Sequence, residues 1–379
     1  MGALGFMRGF ALAGAFGVPV FFVLSGFLLS RPFWIAFDSG APAPSLRDYA
    51  VRRAARILPG YWIVLVATLI AAVAFFGTRL DGEVALRFAA GAFGLAGWHW
   101  LTLYPVDVNG PLWSICYELS SYVFLPLAFA LLFACRGRVA GWVQSRLLWV
   151  GVIGLALVGH WAFMQANPSP GFERGWEFGL LGGAKIFMPR YNPVGFFAMF
   201  ATGALAAGMQ VAIASRRSWV FDLLALYAIA FAALVLWVHI WVGAVDVFGW
   251  LDLPYRSPWF VLVVGAFLVV APSSRLVGRL LDNVVSRYVA RLSFGIYIWH
   301  YLVLELVRLF VVPEMDHGRM TDIPTFALAC GLVVAASFAI AEASYRCIEL
   351  PAMRWARRLE HHAPQASDLA SPRTAGTGP

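Results

Sequence analysis

The chain has 379 residues, of which 61% are hydrophobic and only 13% charged, and its formal net charge of +8 is nearly all arginine, Lys185 being the only lysine. Soluble domains carry about 25% charged residues, so this composition excludes a soluble protein. Arginine gathered in a few loops fits membrane topology and argues against nucleic acid as a partner.

Apolar runs of about 20 residues mark spans, and arginine in short loops marks the cytoplasmic side. The first predicted span covers residues 10–30; Arg8 precedes it, but no small-residue cleavage site follows, so it reads as a retained helix rather than a signal peptide. It leads to a cytoplasmic loop holding Arg31, Arg47, Arg52, Arg53 and Arg56. Residues 60–77 cross outward. The external loop 78–109 contains an apolar stretch, 88–104, that reads as re-entrant or interfacial, and 111–134 returns to Arg136, Arg138 and Arg146. Residues 147–166 leave again for a long external loop, 167–190, whose Pro, Gly and Trp content suggests a lid or a substrate-facing surface. Span 192–212 returns to Arg216 and Arg217, 219–242 leaves, and 259–271 returns after Asp246, Asp252 and Arg256. A loop with Arg275, Arg279, Arg287 and Arg291 follows. Residues 292–312 then exit to an acidic turn with Glu314, Asp316 and Asp322, and 323–345 ends beside Arg346, Arg354, Arg357 and Arg358. The expectation is an all-α, polytopic transmembrane helix bundle of about nine spans, amino end outside and carboxyl end inside. The membrane domain is placed at 10–351 and a cytoplasmic, mostly disordered tail at 352–379. Cys116 and Cys330 fall in apolar runs and Cys135 and Cys347 at span ends, a pattern that implies no disulfide or metal framework.

Three polar constellations interrupt the apolar pattern. Gly110 and Pro111 break the chain and open a helix on which Ser114, Glu118, Ser121 and Tyr122 share a face. A carboxylate in a span costs roughly 3 kcal/mol or more unless it faces protein or water, so Glu118 reads as functional, with a polar hinge between helices as the alternative. Arg53 and Arg56 share a face at the inner boundary, where guanidinium forks suit phosphate; ordinary positive-inside anchoring is the other reading. Ser293, Tyr297, His300 and Tyr301 lie on one face that continues to Glu305 and Arg308. His300 is placed about a dozen Å above the inner boundary. It suits either a proton acceptor or a structural hydrogen bond. His160 and His239 read as interfacial, near external span ends.

Phe21-Phe-Val-Leu-Ser25-Gly26, Arg52-Arg53-Ala-Ala-Arg56-Ile-Leu-Pro59, Gly110-Pro-Leu-Trp113-Ser114 with Glu118 and Tyr122, Ser293-Phe-Gly-Ile-Tyr297-Ile-Trp-His300, and Glu349-Leu-Pro351 occur in the order found in the acyltransferase 3 family. The chain resembles that family of integral membrane O-acyltransferases over about residues 14–351. The resemblance implies transfer of an acyl group, usually acetyl, from cytoplasmic acyl-CoA to a hydroxyl of a glycan or other envelope or exported acceptor, by a multi-pass protein of the inner (plasma) membrane. It implies that Arg53 and Arg56 engage the acyl-CoA donor. Glu118 matches the first carboxylate of the family motif, Leu119 standing where a second acidic residue is often found, and His300 matches the histidine that ends the late motif. Glu118 and His300 are therefore the catalytic candidates, and no metal is implied. Family members usually begin with a helix carrying an arginine and, some ten residues later, a histidine regarded as the catalytic base. Arg8 has no such histidine after it, so that first helix is expected to lie upstream or to be lost together with activity. The competing class is a carrier or flippase for a lipid-linked sugar or small solute, and a third is a non-catalytic partner subunit.

Overall fold

Polar side chains decide where several of the helices begin. Ser45, Asp81, Asn192, Asn283 and Asp322 each accept a hydrogen bond from a backbone N–H in the first turn that follows, satisfying donors that a helix start leaves open. The computed structural model describes residues 13–139, 141–241, 249–313 and 322–359, with side chains 239–241 excepted. Arg8, Asp246, Glu314, Asp316, the side chain of His239 and the tail beyond Leu359 lie outside the described residues. Within them the helices are α1 (Gly17–Asp38), α2 (Leu46–Phe75), α3 (Gly82–Ala92), α4 (Trp113–Ala134), α5 (Trp142–Ala166), α6 (Gly179–Phe187), α7 (Pro193–Ile213), α8 (Trp219–Trp241), α9 (Trp259–Val270), α10 (Val277–Leu281), α11 (Val284–Phe310), α12 (Ile323–Ser344) and α13 (Leu350–Leu359). Among the described residues there is no strand.

Eight described helices are long and apolar enough to cross a membrane, and Trp259–Ser273 forms a shorter apolar helix, so each of the predicted spans has its helix. The molecule is an all-α, polytopic helix bundle. Its axis is α7, with 72% of its apolar window buried, against 17% for α5 and α8. Two glycines set the closest contact. A Cβ on Gly26 of α1 would stand 1.9 Å from the Phe200 carbonyl oxygen, and one on Gly203 of α7 would stand 1.9 Å from that of Val23. Only bare backbone allows this approach, the small-residue packing by which helices associate without a hydrophobic driving force. Trp34 and Trp149 fasten the same core by donating to the carbonyls of Ala204 and Ala201 at 2.7 and 2.9 Å.

Two helices start earlier than their apolar runs. The 30 residues of α2 measure roughly 45 Å, against about 30 Å of hydrocarbon, and α11 begins at Val284 rather than near residue 292. The extra turns carry arginine and serine and are invisible to a length-of-apolar-run reading. Past Ser344 the chain makes a π-turn, Tyr345–Glu349, and continues as α13, so helical structure runs past residue 351.

The segment between α2 and α4 dips into the bundle. Tyr61 and Trp62 donate to the carbonyls of Gly91 and Ala92 at 3.0 and 2.9 Å, and Tyr61 lies roughly 21 Å below the last residue of α2. Arg87, 3% exposed, holds the returning segment of this dip by bonding Glu83, Asp107 and the Tyr104 carbonyl. Non-helical backbone at such depth survives only when enclosed by protein, and Ala96, Leu103, Val106 and Val108 are all buried. The loop 167–190 is also a folded element: Lys185, 4% exposed, donates to the Phe172 carbonyl at 3.2 Å and lies 4.9 Å from the Trp100 ring.

Candidate active site

The early start of α2 determines what its arginines meet. Tyr49, one turn in, packs edge-on against Phe33 of α1 at 5.8 Å, which holds this extension against the bundle. Arg53 and Arg56 follow on the same helix, half-buried, roughly 10 and 15 Å along it. Facing them, α4 presents Glu118 and Tyr122, one turn apart and both buried. The Tyr122 hydroxyl donates to Glu118 Oε1. The second oxygen, Oε2, has no hydrogen-bond partner although Glu118 is only 1% exposed, and the buried Tyr49 hydroxyl is unpartnered as well. Arg53 and Arg56 act on Glu118 through space, and Arg53 also acts on Tyr49 and Tyr122. Among the described residues neither guanidinium bonds a carboxylate; Arg56 Nη1 reaches the Met353 sulfur of α13 at 3.8 Å. Two cations and a carboxylate therefore face each other without closing an ion pair, and each retains hydrogen-bonding capacity.

A second carboxylate approaches Arg56 from the other side. Glu349, at the end of the π-turn and 1% exposed, lies against Gly60, where a Cβ would meet its Oε1 at 3.6 Å. Ser344 Oγ donates to that oxygen at 3.5 Å, Oε2 is unpartnered, and Arg56 is the charge that faces it.

At the start of α4, Ser114 Oγ lies 2.6 Å from the Tyr297 hydroxyl of α11, and Tyr297 also donates to the Pro111 carbonyl at 3.1 Å. Phe21 of α1 stacks parallel to the Tyr297 ring at 6.2 Å. Tyr297 feels the charge of Glu118, which links the two clusters. One turn on, His300 Nδ1 lies 2.6 Å from the Tyr297 carbonyl oxygen. A carbonyl only accepts, so Nδ1 carries the proton and Nε2 is left as the basic nitrogen. Asn109 Nδ2, beside Gly110, donates to Thr68 Oγ1 at 3.4 Å and the Ile298 carbonyl at 3.0 Å, locking α2, α11 and the start of α4 in register.

Arg53, Arg56, Glu118 and His300 thus fall on one file of polar groups, with Tyr122, Tyr297 and Ser114 between them. Two cavities lie elsewhere, one of about 530 Å³ beside Asp38, Arg136 and Trp142, the other of about 200 Å³ beside Trp98 and Asn167. His300 lies roughly 24 Å along α11, whose turns before residue 292 carry Arg287 and Arg291. Ser293 leaves the predicted face: it is exposed and bonds the Ala290 carbonyl of its own helix. His160, near the external end of α5, does not face solvent or lipid. It is fully buried, its Nδ1 accepting from Asn192 Nδ2 at 2.7 Å and its Nε2 donating to the Leu251 carbonyl at 3.0 Å, so it is a satisfied structural residue. Sequence reasoning gave no role to Tyr49 or Glu349. Tyr49 precedes the Arg52–Pro59 run by three residues and Glu349 opens the Glu349-Leu-Pro351 motif, but nothing in one dimension shows that they converge on Arg56 and Glu118.

The family described as an acyltransferase domain matches residues 2–342. A peptidoglycan O-acetyltransferase of Listeria monocytogenes is 26% identical over 365 residues, 90% of this chain and 51% of the relative. A Bacillus subtilis protein provisionally named a peptidoglycan O-acetyltransferase is 26% identical over 358 residues, with the same coverage, and a provisionally named O-acetyltransferase of Staphylococcus aureus is 22% identical over 362, covering 90% and 53%. The chain spans about half the length of these curated relatives. No solved structure matches it.

Proposed function

The chain belongs to this membrane acyltransferase family, and from that premise we propose that it moves an acyl group, acetyl first of all, from a cytoplasmic acyl-CoA to a hydroxyl of an envelope glycan. The single observation that carries the reading is the unpartnered Glu118 Oε2 beside two guanidiniums that bond no carboxylate. Free guanidinium forks suit the phosphates of a CoA donor, and the arginine-rich end of the bundle is the cytoplasmic end by the positive-inside rule. The names of the relatives support acetyl as the group and peptidoglycan as the kind of acceptor.

Each residue then has a task. Arg53 and Arg56 bind donor phosphate at the inner end of the file. The acceptor hydroxyl gives its proton to a base, its oxygen bonds the acyl carbon, the carbon–sulfur bond breaks, and the departing thiolate takes up a proton to leave as the CoA thiol. His300 Nε2 is the proton acceptor, and Glu118, steadied by Tyr122, orients the reacting groups or relays the proton. The tightly packed walls keep water from the thioester.

The test supplies membranes containing the chain with acetyl-labelled acetyl-CoA and peptidoglycan fragments, and follows label into the glycan by mass spectrometry. Label on a sugar hydroxyl, lost in Glu118→Gln, supports the reading. A chain that binds donor and acceptor but never moves label refutes it.

A further inference from the structure

The end of the bundle away from Arg53 and Arg56 holds a cavity of about 200 Å³, walled in part by Trp98, His99, Trp100, Asn167, Ser169 and Met188. We infer that this cavity holds one uncharged hexopyranose ring of the glycan, as the seat of the acceptor; the word acceptor rests on the acyl-transfer reading, while the sugar site itself does not. No carboxylate, guanidinium or ammonium group lines it, which suits a neutral ligand. Its volume lies below the roughly 300–1,000 Å³ of drug-sized sites and matches a single ring.

The wall chemistry is that of a sugar. Flat indole faces pack against the C–H face of a pyranose, and its hydroxyls need both donors and acceptors around the edge. His99 Nδ1 accepts from the Leu101 N–H at 3.2 Å, so the proton sits on Nε2, a donor. Asn167 spends Nδ2 on the Phe163 carbonyl at 3.0 Å, which leaves Oδ1 as an acceptor. Ser169 donates to the Lys185 carbonyl at 2.8 Å and keeps its oxygen lone pairs. The aromatic platform is held before any ligand arrives: Lys185 lies 4.9 Å from the Trp100 ring, and Trp98 meets Phe163 edge-on at 6.1 Å. On the inner side, the Met188 sulfur accepts from the Tyr117 hydroxyl at 3.6 Å, and Tyr117 is the neighbour of Glu118 on α4. The cavity is therefore linked, through Met188 and the Tyr117 side chain, to the helix that carries the buried carboxylate.

Tryptophans near a membrane surface also serve as anchors, and the experiment separates the two roles. The full chain in phosphatidylethanolamine and phosphatidylglycerol nanodiscs is titrated with chitotetraose and with maltotetraose, read by saturation-transfer NMR and tryptophan fluorescence. Expected is saturable binding of at least one sugar, weakened about tenfold in Trp98→Ala and severalfold in Asn167→Ala, with acetyl-CoA binding unchanged. Saturation by neither sugar overturns the inference. So does wild-type sugar affinity in both variants, including the case where Trp98→Ala alters only thermal stability in the disc. Sugar binding without any acetyl transfer would refute the enzymatic reading and keep the site; transfer with an unchanged acceptor KM in Trp98→Ala would do the reverse.

Discussion

Glu118 bears the most weight of any single side chain, because one of its oxygens is engaged by Tyr122 and the other by nothing. Replacing it with Gln keeps volume and removes the charge that Arg53 and Arg56 face. Transfer should fall at least a hundredfold while the protein still folds and binds acetyl-CoA, measured by single-turnover label transfer and by calorimetry. Wild-type turnover in Glu118→Gln would reduce the residue to packing. Arg56 makes a different prediction. Arg56→Lys preserves charge and loses the fork, so KM for acetyl-CoA should rise about tenfold with kcat little changed; an unchanged KM would remove Arg56 from the donor site. His300 differs again, since only Nε2 is free to take a proton. His300→Gln should lower kcat by about a hundredfold and flatten the acid limb of the rate profile, whereas a structural histidine would change stability and leave the profile's shape alone.

At the scale of elements, α1 and α7 are held together by bare backbone at Gly26 and Gly203. Adding one methyl at either position drives a Cβ into a carbonyl that cannot swing away. Gly203→Ala should destabilise the bundle by about 1–3 kcal/mol, visible as a lower unfolding temperature in detergent, and unaltered stability would mean that the helices slide apart freely. The helices themselves were legible: each apolar run found its helix, and of the two readings of 88–104, re-entrant or interfacial, the contacts of Tyr61 and Trp62 favour the first. Their starts were not, because α2 and α11 begin in polar sequence that periodicity of apolar residues does not see. The same limit hid part of the site. Glu118 and the arginine pair stood out as charges in or beside spans, but the approach of Glu349 to Arg56 depends on a π-turn, and that of Tyr297 to Ser114 on two helices distant in sequence.

Taken whole, the bundle gathers most of its arginines at one end, the cavity beside Trp98 and Asn167 at the other, and a file of polar side chains between them. Along that file Glu118 and Ser114 are 1% and 4% exposed, and Phe21 stacks on the Tyr297 ring beside them. A transferase needs only that two substrates meet from opposite ends, so its sidedness can be tested directly. Cys135 is free and exposed at the arginine-rich end of α4, while Asn167 is exposed at the far end of α5. With Cys330 and Cys347 replaced by Ser, Cys135 should resist a membrane-impermeant maleimide in intact cells and react after permeabilisation. A cysteine placed by Asn167→Cys in a Cys135→Ser background should react at once from outside. Were the two patterns exchanged, the arginines would face away from the cytoplasmic donor, and Arg53 and Arg56 could not be its receptor.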